Sequence, residues 1–109
     1  MFNDGQLEIY SKVSKEGEGG KPFEVLKPYA TAYYGEIGFT VEEYYTARQT
    51  ETEVVKRIRI HQDKSISNKH VIVIDGIQYN VGRTYSATVK GIAVTDITLE
   101  EVSTKYDFA

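Results

Sequence analysis

The chain has 109 residues with a formal net charge of −3, enough for one domain with one core and no room for a second. It has no Cys, which excludes disulfide frameworks, Cys-ligated zinc and thiol catalysis, and the acidic balance counts against a free-standing nucleic-acid-binding domain. No apolar run approaches the roughly 20 residues of a membrane helix, and Met1-Phe2-Asn3-Asp4-Gly5 has neither the basic start nor the apolar stretch of a secretory signal.

Val, Ile, Thr, Tyr and Phe make up 44 of the 109 residues. These are strand formers, so a mainly β fold is expected. Leu7 to Val13 alternates with period two, Leu7, Ile9 and Val13 on one face and Glu8 and Lys12 on the other, as a half-buried strand does. Lys15 to Pro22 holds three Gly, one Pro and four charges and reads as a surface turn. Phe23 to Tyr34 is a longer strand in which Phe23, Val25, Tyr29 and Tyr33 share parity. Pro28 cannot donate to a ladder, so the strand is an edge there, or bulged or broken.

Thr40 to Thr50 is predicted as a short helix. Thr40 and Glu43 form a capping box, Glu42 and Glu43 fall in the first turn, and Arg48 in the last. Val41, Tyr44, Tyr45 and Arg48 recur at helical spacing. At this length the helix depends on tertiary contacts. Val54 to Gln62 reads as a strand with Arg57, Arg59 and His61 on one face and Ile58 and Ile60 on the other. Asp63 to Lys69 is polar and reads as a loop.

Asp75-Gly76, between two apolar runs, is a strong hairpin signal because a type I′ turn needs two positive φ angles. It pairs Ile74 with Ile77, Ile72 with Tyr79 and His70 with Val81. Ile72, Ile74, Ile77, Tyr79 and Val81 then share the core face, while Val71, Val73, Gln78 and Asn80 share a partly covered one. Gly91 to Val102 is the last strand, and its change of parity at Thr95-Asp96 predicts a bulge or bend. The sum is a small antiparallel β-barrel or curled sheet of five to six strands with one short α-helix, as a single domain over residues 1–109.

Catalytic patterns are absent. Gly17-Glu18-Gly19-Gly20-Lys21 resembles a phosphate loop only in composition. The spacing is wrong, Pro22 stands where Ser or Thr belongs, and no helix follows. His61 and His70, with Asp63 and Asp75 near them, lack a third converging ligand. No nucleophile–base constellation occurs, so no enzyme and no cofactor is expected. The strongest charge feature is the basic strand Lys56, Arg57 and Arg59, read as a contact for DNA phosphates or an acidic partner surface. The alternative is one solvated strand face that discourages edge-to-edge aggregation. Residues 1–52 carry a net −4 and residues 53–109 a net +1, which suits head-to-tail association. Tyr29, Tyr33, Tyr34, Tyr44 and Tyr45 gather around the helix and point to an interface.

Taken in order, these features form a pattern: a Gly-rich turn and extended strand (Gly17 to Tyr34), then a Glu-Glu-Tyr-Tyr-x-Ala-x-Gln helix (Glu42 to Gln49). The Arg-rich Val55-Lys56-Arg57-Ile58-Arg59-Ile60 follows, then the Asp75-Gly76 hairpin, then a closing Thr98-Leu99-Glu100 strand. The pattern resembles the head-closure proteins of tailed double-stranded DNA bacteriophages, also called head–tail joining, head-completion or stopper proteins, over about residues 5–103. Phe23 stands where many members have Trp, and Ile60 where they have Tyr. The resemblance implies a virion component that forms a ring with copies of itself below the portal and adaptor proteins. The ring closes the DNA exit after packaging and offers the docking surface for the tail terminator. Packaged DNA passes through its channel, and no membrane is involved. It would be made in the cytoplasm of the bacterial host and end in the virion of a phage or prophage. The competing class is a monomeric OB-like module for nucleic acid or a peptide, but the Arg57–Arg59–His61 face lacks the interleaved aromatics such a binder uses.

On the head-closure reading, ring contacts are expected at Thr40–Thr50 and Lys56–Arg59, and charge reversal at Arg57 and Arg59 is expected to leave the fold intact. The moving gate is expected over residues 35–53, including Gly35, Gly38, Glu42, Glu43, Tyr44, Tyr45 and Arg48. Gly35 and Gly38 would act as one hinge and Gln49–Glu53 as the other. Gly17–Pro22 and Asp63–Lys69 are the next choices. Glu36, Glu42, Glu43, Glu51 and Glu53 would repel packaged DNA.

Overall fold

The computed structural model describes residues 2–38, 54–102 and 104–109. Its strands are β1 (Gly5–Glu16), β2 (Pro22–Ile37), β3 (Val54–His61), β4 (His70–Ile74), β5 (Ile77–Val89), β6 (Ile92–Glu101) and β7 (Asp107–Phe108). The helix expected over Thr40–Thr50, with Glu42, Glu43, Tyr44, Tyr45 and Arg48, lies outside the described residues.

The sheet order is β1-β4-β5-β6-β3-β2-β7, and β1 also pairs with β2. Six strands therefore form a closed ring of antiparallel pairings, a sheet curled onto itself, and β7 adds to β2 in parallel. Alternation along each strand decides what the ring encloses. Leu7 and Ile9 of β1 meet Tyr34 of β2, Ile58 and Ile60 of β3, Ile72 and Ile74 of β4, Tyr79 and Val81 of β5, and Ile97 and Leu99 of β6. Ile66 joins them from the loop between β3 and β4, which the sequence marks only as polar. A second cluster lies outside the ring, where Val71 and Val73 pack on Leu26, with Tyr10 and Tyr106 against them. The second face of β4 is thus fully covered.

The Asp75-Gly76 hairpin has the expected register, Ile74 opposite Ile77 and Ile72 opposite Tyr79. Both turn residues take positive φ, 52° and 79°. Ile72, Ile74, Tyr79 and Val81 are buried, but Ile77 is 50% exposed. It sits beside the turn at the end of the sheet, where the shared face no longer has a strand across from it.

Two irregularities shape the strands. Ile9 pairs with Ala30 and Tyr10 with Pro28, so Tyr29 is the extra residue of a bulge beside the proline. The parity change expected at Thr95-Asp96 is not a bulge, since β6 keeps an unbroken register there with both neighbours. Val94, Thr95, Asp96 and Ile97 are all buried, so both faces of this stretch are covered and parity carries no signal. The shift in β5 falls instead between Val81 and Arg83, at Gly82.

Hairpins β1–β2 and β5–β6 extend past the pairings that close the ring. Beyond Ser11, β1 pairs with β2 alone, out to Glu16 opposite Pro22. Beyond Asn80, β5 pairs with β6 alone, ending at Val89 opposite Ile92 across a second turn, Lys90-Gly91, with φ of 50° and 80°. The molecule measures 52 × 31 × 23 Å.

Candidate functional site

β3 lies between β2 and β6, and this placement determines what its cations do. Ile58 and Ile60 point into the ring, so Arg57 and Arg59 point out, over the face where β6 carries Asp96 opposite Arg59. Asp96 is only 4% exposed, and an ionised carboxylate at that depth needs a counter-charge. Arg59 supplies it with a two-pronged contact, Nε to Oδ1 at 2.7 Å and Nη2 to Oδ2 at 3.0 Å. The hydrogen bond to Asp96 is the main reason the Arg59 pKa lies above its ordinary value. Arg57 brings Nη2 to 3.6 Å from Asp96 Oδ2 and donates from Nη1 to the Gly38 carbonyl at 3.2 Å. Lys56 meets Glu36 at 3.0 Å, which raises its pKa chiefly through that hydrogen bond, and its ammonium also lies over the Tyr79 ring.

Each of the three cations thus meets an acid of the same chain. The expectation that charge reversal at Arg57 and Arg59 leaves the fold intact is corrected. Either reversal would set a second anion against the buried Asp96 carboxylate. The sequence did carry a signal for this partner: an acid at position 96 within an apolar strand must find a cation, and the only nearby strand with a run of them is β3.

The first residues of the segment expected to gate, 35–37, belong to β2. Gly35, Glu36 and Ile37 pair with Arg59, Ile58 and Arg57 as part of β2. The Glu36 backbone N–H donates to Asp4 Oδ2 at 2.7 Å. Gly35 is therefore a strand residue, and Gly38 is the first described residue past the strand; Phe39 through Glu53 lie outside the described residues. Because Ile37 pairs with Arg57, the two strand ends that carry this segment lie side by side.

The other candidates are structural. The His70 ring stacks on Tyr29, its Nδ1 accepts the Ser67 N–H at 3.1 Å, and burial lowers its pKa. His61 lies against Phe2 with ring centres 4.0 Å apart. Among the described residues no three His, Asp or Glu side chains gather as a metal site would require. Asp63 accepts from the N–H and hydroxyl of Ser65, and Thr95 Oγ1 accepts the Asp63 N–H at 2.9 Å, which seats Ile66 in the core. Of the tyrosines expected to gather at an interface, Tyr29 and Tyr33 are exposed and Tyr34 is in the core. Sequence reasoning missed Gln78, whose side-chain amide accepts the Tyr106 N–H at 2.8 Å and donates to the Tyr106 carbonyl at 2.9 Å. Acting as a short substitute strand, it fixes the chain just ahead of β7.

No family model matches the chain, and no curated protein matches it. Among solved structures it is similar to protein SF1141 from Shigella flexneri 2a, determined in solution. The TM-score is 0.62 at 16% identity, over 93% of this chain and 94% of that one. That likeness establishes a shared fold along nearly the whole chain.

Proposed function

We propose that this chain is a head-closure component of a tailed double-stranded DNA phage or prophage. It forms a ring with copies of itself beneath the portal and adaptor, closes the DNA exit after packaging, and offers the tail terminator its docking surface. The carrying observation is the order of its sequence features, from the Gly-rich turn through the Glu-Glu-Tyr-Tyr signature and Arg-rich strand to the Asp75-Gly76 hairpin. Two structural features support the reading. Two hairpins reach beyond the closed ring of strands and offer surface for contacts between neighbouring subunits. The acidic segment bearing Glu42, Glu43, Glu51 and Glu53 springs from adjacent ends of β2 and β3, so a gate there would have both hinges at one rim.

In this role Lys56, Arg57 and Arg59 hold the strand ends that lead into the gate, through Glu36, Gly38 and Asp96. The role needs no catalytic centre and no cofactor, and its setting is the virion. The OB-like alternative draws less support, because the guanidinium groups that would meet phosphates share an internal carboxylate.

Deleting the gene from the phage or lysogen that carries it tests the proposal. The expected product is DNA-filled heads that lose their DNA and carry no tails, rescued when the gene is supplied in trans. Normal yields of tailed, infectious particles would overturn it.

A further inference from the structure

A neutral imidazole nitrogen can accept a hydrogen bond and a protonated one cannot, so a backbone N–H that depends on a histidine ring is held only while that ring is uncharged. His70, the first residue of β4, is placed to hold one. Its Nδ1 accepts the Ser67 N–H at 3.1 Å, and its own backbone N–H donates to the Ser67 carbonyl, also at 3.1 Å. The two bonds close the turn over residues 67–70 from both ends. His70 is buried, so water has little access to replace either bond.

Ser67 follows Ile66, the one apolar side chain that the loop between β3 and β4 places in the core. Upstream of Ile66 the loop is tied by Asp63, which bonds to Thr95 and Ser65, and by the Tyr29 hydroxyl, which meets that of Ser65. Downstream the tie is the Ser67–His70 turn. His70 serves both sides, because the Tyr29 ring stacks on its imidazole. Two further bonds run from the turn to β1, where the Lys12 N–H and ammonium donate to the carbonyls of Lys69 and Asn68. Neither involves Ile66 or Ser67.

The geometry points to His70 as an acid-operated latch: protonating its ring releases the Ser67 N–H, residues 63–69 lift from the end of the sheet, and Ile66 leaves the core. A protonated Nδ1 would set N–H against N–H inside the turn and put a charge where the ring is buried, and opening the loop relieves both. The surroundings favour a neutral ring in the closed form. Within the loop, Asp63 favours the imidazolium and Lys69 opposes it. β1 sets uncharged Ser11 opposite His70 and brings the Lys12 ammonium to the turn. β2 adds neutral Tyr29 and, across from Ser11, Lys27. On β5 the hairpin register continues to apolar Val81. One carboxylate thus stands against three ammonium groups, and burial adds to their effect. The inference does not rest on the head-closure reading. It assigns a local opening, distinct from a general loss of stability in acid.

Amide hydrogen exchange on the purified chain, read residue by residue by NMR from pH 8 to pH 5 and corrected for the intrinsic pH dependence of exchange, tests it. The Ser67 and His70 amides should be less protected than those inside β4 at every pH, because the loop opens without the sheet. Their protection should fall at least about threefold by pH 5. The ceiling is about 30-fold, set by a histidine that titrates near 6.5 once the loop is open. His70→Asn puts an amide oxygen about where Nδ1 stands, so it can accept the same N–H but cannot titrate. Ser67 protection in that variant should not change with pH. Loop amides as protected as those of β4 would overturn the inference, since Ile66 would then leave only when the whole chain unfolds. So would a wild-type loss below about threefold, or an equal loss in His70→Asn. Should His70→Asn fail to fold, the wild-type profile decides alone.

Discussion

Asp96→Asn keeps the shape of the side chain but removes the charge that two guanidinium groups share. Arg57 and Arg59 are 16% and 21% exposed, so neither regains full hydration when the carboxylate is lost. Stranding one partner of a buried pair costs about 3–5 kcal/mol, and the residual exposure of both arginines places this site near the lower end, about 3 kcal/mol. For a domain of this size, with a urea m-value of about 1.5 kcal/mol per molar, the midpoint should fall by about 2 M at unchanged m. Urea titration followed by far-ultraviolet circular dichroism reads both quantities. The double variant Asp96→Leu with Arg59→Met should recover the share of the loss that belongs to Arg59, because apolar replacements of a buried pair carry no desolvation cost, while Arg57 still lacks its carboxylate. Lys56→Met removes a pair whose side chains are 34% and 52% exposed, and should cost less than about 1 kcal/mol. A midpoint shift below about 0.5 M for Asp96→Asn would refute the argument that this carboxylate is held in place by β3.

Ile66→Ala should cost about 2–5 kcal/mol by emptying part of the ring interior, whereas Ile77→Ala, at a half-exposed site, should cost less than about 1 kcal/mol; the same titration ranks them. Burial holds the His70 pKa below its ordinary value despite the opposing charge of Asp63, so the unfolded chain binds the proton more readily. Stability should therefore be fullest above the unfolded-state pKa and fall as pH drops through it toward the folded-state value. A melting series from pH 8 to pH 5 should show a shallower decline for His70→Gln, and parallel curves for the two proteins would exclude His70 as the source.

What the sequence reveals here depends on how local the cause is. The Asp75-Gly76 register is legible because turn and flanking residues are contiguous, and Pro28 marks the bulge beside it for the same reason. The burial of Ile77 is not, since parity names a face but not how far the neighbouring strands extend over it. Lys56, Arg57 and Arg59 are visible as cations, but their partners Glu36 and Asp96 lie on strands far along the chain. Ile66 is a single apolar residue in a polar stretch, and only the hydrogen bonds of Asp63 and Thr95 direct it inward. β7 is too short for any periodicity, and a glutamine side chain fixes the approach to it.

The route by which the ring closes also sets when it can close. The β1–β2, β4–β5 and β5–β6 pairings join neighbours in sequence and can form as soon as each turn is made. The seam does not: β1 must find β4, with Glu8 opposite Val73, and β3 must find β6, with Val54 opposite Glu100. Such non-local pairings place folding in the millisecond-to-second range rather than in microseconds. During synthesis at about 5–20 residues per second, the first hairpin must wait several seconds for β4 to leave the ribosome, its apolar face open all that time. Those seconds are when the nascent chain is most exposed to chaperones and to wrong partners.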